Sequence, residues 1–115
     1  DPLVFIGRHF RSYKSGAQRR GIYFNLDKKF LIDLYKFQNG LCALSDEKMT
    51  FEIGKGRMAK LPGNISLDRI NSKKGYVRGN VRFVCTILNN LKWELDNKIF
   101  IKMIKKMYDY QNFKR

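Results

Sequence analysis

The side chains able to take part in bond-making chemistry crowd into one stretch, SLDRINSKKGYVRGNVRFVCTILNNLK, residues 66–92. It mixes a carboxylate, arginines, lysines, asparagines and a glycine-flanked tyrosine. Each type has a characteristic use. Carboxylate and amide oxygens suit a hard divalent cation such as Mg²⁺. A guanidinium clamps a phosphate through paired hydrogen bonds but cannot act as a base. A tyrosine hydroxyl titrates near ~10 when free, so it needs nearby cations before it can take a proton or attack phosphorus. The chain's one histidine, His9, lies far upstream. Its two cysteines, Cys42 and Cys85, are too few for a disulfide scaffold.

The elements that must position these groups follow from local pattern. NISLDRI reads as a strand, NSKKGYVRG as a turn-rich loop and NVRFVC as a second strand. TILNNLKWEL, with Ile87, Leu88 and Leu91 at helical spacing, reads as a helix. The order strand, long loop, strand, helix takes only residues 65–92. Upstream, RHFRSYKSGAQRR reads as a basic helix over residues 8–20, ending before Gly21 and weakened by Gly16. IYFNL is a short extended piece. Asp27 is an N-cap for a helix over residues 28–38 whose stripe of Phe30, Leu31, Leu34 and Tyr35 is core. Residues 39–64 are mostly loop, with a short strand expected over residues 49–53. Asp96 or Asn97 caps a last helix with the stripe Ile99, Phe100, Met103, Ile104 and Met107. The expected organisation is a basic helical segment, residues 1–40, packed on a core of residues 41–115.

The 115-residue length fits one domain with a small core. With 24 basic against 10 acidic residues the net charge is +14. Such an excess destabilises a compact chain through self-repulsion, and basic residues occur in every segment, so the expected partner is a polyanion: nucleic acid. No stretch approaches the ~18 apolar residues of a membrane span. The start, DPLVFIGRHF, lacks the apolar core of a signal peptide, so an intracellular setting (cytoplasmic, or nuclear in a eukaryote) is expected. Because the chain begins at Asp1, further domains of a longer protein are expected.

Residues 65–92 resemble the nuclease core of the HNH, or ββα-metal, endonucleases, particularly the phage and restriction types. Their pattern runs D-[HR]-I, a glycine-containing loop, N-[VL]-x-x-[VL]-C, then a helix beginning C-N-x-x-K. GIYFNL and GLCALS resemble the segment preceding such cores more loosely. The resemblance implies an α+β fold, a small ββα-metal (HNH or His-Me finger) core with flanking helices on both sides. It implies that Asp68 and Asn89 hold one Mg²⁺ or Mn²⁺, that Asn80 orients the long loop, and that Lys92 matches the lysine after the helix ligand. A strand end facing a short helix can bring Asp68 and Asn89 together across 21 positions. One carboxylate and one amide oxygen then leave coordination positions for a phosphate and a leaving oxygen.

Two departures bear on mechanism. Arg69 stands where most members place the histidine that activates water. A subset of restriction-type members shows the same Asp-Arg followed by Gly-Tyr, with the tyrosine implicated in catalysis, and Tyr76 matches it. Arg69 and Arg78 are the cations expected to assist Tyr76. Second, the paired Cys-x-x-Cys motifs that hold structural zinc in many relatives correspond here to Cys42 with Ser45 and Cys85 with Leu88. No structural zinc is expected, and Cys42 and Cys85 should lie close together.

The expected activity is metal-dependent hydrolysis of phosphodiester bonds in double-stranded DNA. Phosphate contacts are expected from Arg69, Lys73, Lys74, Arg78, Arg82 and Lys92, with Arg8, Arg11, Lys14, Arg19 and Arg20 gripping a second stretch of backbone. Two alternatives stay open: an HNH-like module that binds nucleic acid without cutting, and a nuclease reading branched DNA by shape. A homodimer would supply the second active site that two nicks require, although no residue specifies one.

Overall fold

The computed structural model describes residues 1–52 and 61–113. Helix α1 spans Pro2–Arg19, strand β1 Phe24–Asn25, helix α2 Lys28–Phe37, strand β2 Ile65–Arg69, strand β3 Tyr76–Val77, strand β4 Val81–Cys85, helix α3 Thr86–Lys92 and helix α4 Asn97–Phe113. This is a mixed helical fold with two small sheets.

The centre is the antiparallel pair β2–β4, in which Leu67 faces Phe83 and Asp68 faces Arg82. Alternation along a strand sends Ile65 and Leu67 to one face and Ser66 and Asp68 to the other. Phe83 and Leu31 are wholly buried, so α2 closes the apolar side of the pair, and α1 packs against α2. Helix α3 leaves β4 without a break at Cys85 and packs back on both strands.

The α1 helix starts at Pro2, well before the basic run that opens at Arg8. Asp1 caps it, its side chain accepting from Leu3 N–H at 2.9 Å, and Pro2 sits in the first turn, where a missing N–H costs nothing. The α2 helix matches expectation closely, with Asp27 accepting from Phe30 N–H at 2.8 Å. The strand expected over residues 49–53 shrinks to a bridge between Thr50 and Asn64. The Asn64 side chain takes the place of a ladder there, pairing with both Glu52 N–H and Glu52 C=O. Ile53 lies outside the described residues.

The long loop carries a strand that local pattern does not show. β3 runs parallel to β1, Phe24 opposite Tyr76, and Tyr76 N–H donates to Tyr23 C=O at 2.8 Å. Gly75 permits that approach, since a Cβ there would lie 2.5 Å from the Tyr23 carbonyl oxygen. A pairing that needs a glycine thus sets the place of the neighbouring tyrosine.

Candidate active site

A groove of about 820 Å³ runs between α1 and the β2–α3 unit. Asp68, Asn89 and Ser66 line one wall, His9, Tyr13 and Arg20 the other, and Tyr76 and Arg69 also border it.

Asp68 is nearly buried and holds two cations. Oδ2 accepts from Arg82 Nε at 2.8 Å, and Oδ1 from Lys92 Nζ at 3.1 Å. Lys92 also donates to the Arg69 carbonyl at 2.7 Å, and Arg82 reaches Asn97 Oδ1 at 2.6 Å through Nη2. This corrects two expectations. Lys92 is wholly buried and cannot touch DNA, and Arg82 is a cross-strand partner of Asp68 with little exposed surface. A buried charge must be paired, and these two basic residues pair the one carboxylate among them.

Asn89 leans from α3 onto β2. Its Nδ2 donates to Ser66 Oγ at 2.5 Å and approaches the Leu67 carbonyl at 3.4 Å. Oδ1 is then its remaining polar atom. Ser66 and Asp68 share one face of β2, so the carboxylate and the amide border the same groove. The donor set suits a hard divalent cation: each Asp68 oxygen holds one hydrogen bond and keeps a second lone pair, and Asn89 offers an amide oxygen.

The Tyr76 ring packs against Phe24 at a centroid distance of 5.7 Å. Arg69 lies 5.3 Å from the ring centroid and Arg20 5.8 Å. Arg69 is braced on the loop, with Nη1 donating to the Ser72 and Lys74 carbonyls at 2.8 and 3.0 Å. Arg78 does not assist Tyr76. It lies beside Asp27 at 3.6 Å and over the Phe30 ring at 5.1 Å, because it leaves the β3 ribbon toward α2. Arg20 Nη2 instead donates to the Tyr76 hydroxyl at 2.8 Å, across 56 positions of sequence.

Asn80 spans the loop between Asn71 and Gly75. Its Oδ1 accepts from Asn71 N–H at 2.9 Å, and its Nδ2 donates to the Asn71 and Gly75 carbonyls. Lys73 and Lys74 stand exposed at the loop tip, and Arg8, Arg11, Lys14 and Arg19 are exposed on α1. His9, far upstream of the other site residues in sequence, lines the groove. It stacks on Phe5 at 3.9 Å, with Nδ1 2.9 Å from the Phe5 carbonyl. Tyr13, deeper in the same wall, has a hydroxyl with no partner among the described residues, and burial pushes its pKa up to about 12.

Away from the groove, the Cys42 and Cys85 sulfurs lie 4.0 Å apart. Burial would raise Cys42, but hydrogen bonds to its sulfur, including one from Cys85 N–H at 3.3 Å, outweigh it and lower the thiol below its ordinary value. Burial pushes Cys85 up. The pair ties the segment after α2 to the start of α3.

Among solved structures, the chain is similar to the rare-cutting HNH restriction endonuclease PacI. The match has a TM-score of 0.64 and 14% identity, and covers 90% of this chain and 76% of that one. The fold is similar to that of an HNH endonuclease. At this identity the likeness is one of backbone. No protein-family model matches the sequence, and no curated protein does.

Sequence reasoning missed Arg20 as the hydrogen-bond partner of Tyr76 and Lys92 as a buried cation. The second carried a signal. Lys92 lies three residues after Asn89, so the two share the helix face that meets β2. The first carried none, since nothing local links the end of α1 to the loop.

Proposed function

We propose that this chain is a divalent-metal-dependent endonuclease that hydrolyses phosphodiester bonds in double-stranded DNA. The observation that carries this reading is the meeting of Asp68, Asn89 and Tyr76 at one groove, on a strand–loop–strand–helix unit, in a chain of net charge +14. The similarity of fold to an HNH endonuclease supports it.

Asp68 and Asn89 would hold a single Mg²⁺ or Mn²⁺. When bound, the ion supplies Lewis-acid stabilisation of the charge that develops on the phosphate and the leaving oxygen. Arg82 and Lys92 fix the Asp68 carboxylate from its inner side, so it presents one orientation to the groove. Arg69 Nη1 is held by loop carbonyls, which leaves its Nε and Nη2 donors for a non-bridging phosphate oxygen. Tyr76 gives its proton to solvent and, as phenolate, either takes a proton from the attacking water or attacks phosphorus itself. The second route forms the Tyr76 Oη–P bond as the P–O3′ bond breaks, the O3′ taking a proton from solvent. Water then cleaves the tyrosyl phosphoester, which labelled DNA would retain on denaturing gels before that second step.

Nicking of supercoiled plasmid in Mg²⁺ tests the reading. Asp68→Ala and Asn89→Ala should each cut at least about 100-fold more slowly than wild type. Equal rates in all three proteins would end the assignment.

A second reading draws on the two cations already held by Asp68. A carboxylate neutralised on both oxygens is a weaker metal ligand, as in a module that binds DNA and no longer cuts. Tight, salt-sensitive binding without cleavage in any divalent metal would favour it.

A further inference from the structure

We infer that Arg20, at the C-terminal end of α1, is a positioning residue for the Tyr76 hydroxyl; the inference rests on the nuclease reading of the groove. Its guanidinium is held from both sides. Nη2 donates to Tyr76 Oη at 2.8 Å, and Nε donates to the Gly16 carbonyl at 3.2 Å. The backbone is fixed too, since Arg20 N–H caps the helix on the Gly16 and Ala17 carbonyls at 3.3 and 3.1 Å. The last turn of a helix leaves carbonyls without intrahelical donors and carries partial negative charge, so an arginine there folds back on its own helix. That anchoring aims the far end of the side chain across the groove.

The bond has a definite chemical sense. A phenolic O–H lies near the ring plane and points to one of two sides. A guanidinium has donors only, so it takes the acceptor side of the oxygen and turns the Tyr76 proton the other way. Arg20 therefore selects one of the two hydroxyl orientations. It also places a fixed cation beside the oxygen, where it stabilises the phenolate from which either route starts. Arg69 does not duplicate this role. It lies over the ring, and its Nη1 is engaged by loop carbonyls. Among the described residues, Arg20 is the arginine bonded to the hydroxyl.

The competing assignment is the one its sequence suggests, an exposed arginine on the DNA backbone. The two roles separate in kinetics. A backbone contact strengthens binding and steepens salt dependence, whereas a positioning residue changes the rate of the bound complex. Single-turnover cleavage of a labelled duplex with enzyme in excess gives that rate in Mg²⁺, and titrations in EDTA at several salt concentrations give affinity and salt slope.

Arg20→Gln should lower the saturated rate about 10- to 100-fold. Affinity should stay within about 2-fold and the salt slope should not move. Arg20→Lys, which keeps a charged donor, should recover part of the rate. In a Tyr76→Phe background, Arg20→Gln should cost nothing further, because the group it orients is gone. An unchanged saturated rate with weaker binding and a salt slope shallower by about 0.9 would overturn the inference and make Arg20 a phosphate contact. So would an equal rate loss in the presence and absence of the Tyr76 hydroxyl. Should Tyr76→Phe cut too slowly to measure, the split between rate and affinity in Arg20→Gln decides alone. Full activity in Tyr76→Phe would remove the Tyr76 role itself. A crippled Tyr76→Phe beside an unimpaired Arg20→Gln removes only the inference drawn from Arg20.

Discussion

The two walls of the groove are built on different principles. On the β2–α3 side the basic side chains point inward: Lys92 and Arg82 are spent on one buried carboxylate, and little of either reaches solvent. On the α1 side Arg8, Arg11 and Arg19 stand in water, and the groove face is aromatic, with Phe5, His9 and Tyr13. The same residue types therefore do opposite work a short distance apart. One wall uses positive charge to hold an anionic side chain still, and the other presents it to whatever anion arrives. A net charge of +14 overstates the surface available to a polyanion, because part of it is consumed internally.

The sharpest way to break that contrast is at Lys92. Lys92→Met keeps the apolar stem and removes the ammonium, leaving Asp68 with Arg82 alone and the Arg69 carbonyl without its donor. If the inner wall is held by this triad, the variant should lose about 1–3 kcal/mol of stability, because Asp68 keeps Arg82 but two buried acceptors lose their donor; the loss is measured as a fall in the urea midpoint. A midpoint within error of wild type would mean that burial of the charges costs as much as their pairing returns.

The outer wall is tested by salt. Arg8→Ala with Arg11→Ala should flatten the slope of log K against log salt by about 0.9 for each phosphate that these arginines neutralise, with little change in the urea midpoint. The same substitutions should not alter the saturated cleavage rate. A slope identical to wild type would make these arginines a solvated face and confine DNA to the other side of the groove.

How much of the molecule is legible in its sequence follows the same division. The unit over residues 65–92 is legible because its signals are local: alternation in NVRFVC, turn residues in NSKKGYVRG, helical spacing in TILNNLK. The Asp27 cap is legible for the same reason. The start of α1 is harder to read because the basic run at Arg8 is a louder signal than the cap at Asp1 and Pro2. β3 is hidden because two residues carry no periodicity, and only Gly75 marks the close approach that makes the pairing feasible. The fate of each arginine is illegible, since Arg20 and Arg78 are both exposed, basic and near a turn. Tertiary placement sends one to Tyr76 and the other to Asp27.

The smallest effect concerns Tyr13, where the aromatic wall carries a flaw. Its hydroxyl is buried, has no partner among the described residues, and is held protonated up to about pH 12. A buried polar group without a bond costs free energy that its apolar isostere avoids. Tyr13→Phe should therefore be neutral or stabilising by up to about 1 kcal/mol at pH 7. Alkaline pH should widen the difference. The unfolded phenol ionises near 10 and the native one only near 12, so wild type gives up stability as pH rises through that window, and phenylalanine at this position does not. Urea midpoints of the two proteins, compared at about pH 7 and about pH 10.5, measure the gap, and the other tyrosines cancel in the comparison. Loss of stability in Tyr13→Phe would show that the hydroxyl has found a partner, and that the α1 wall, like the wall across from it, is held together by polar contacts.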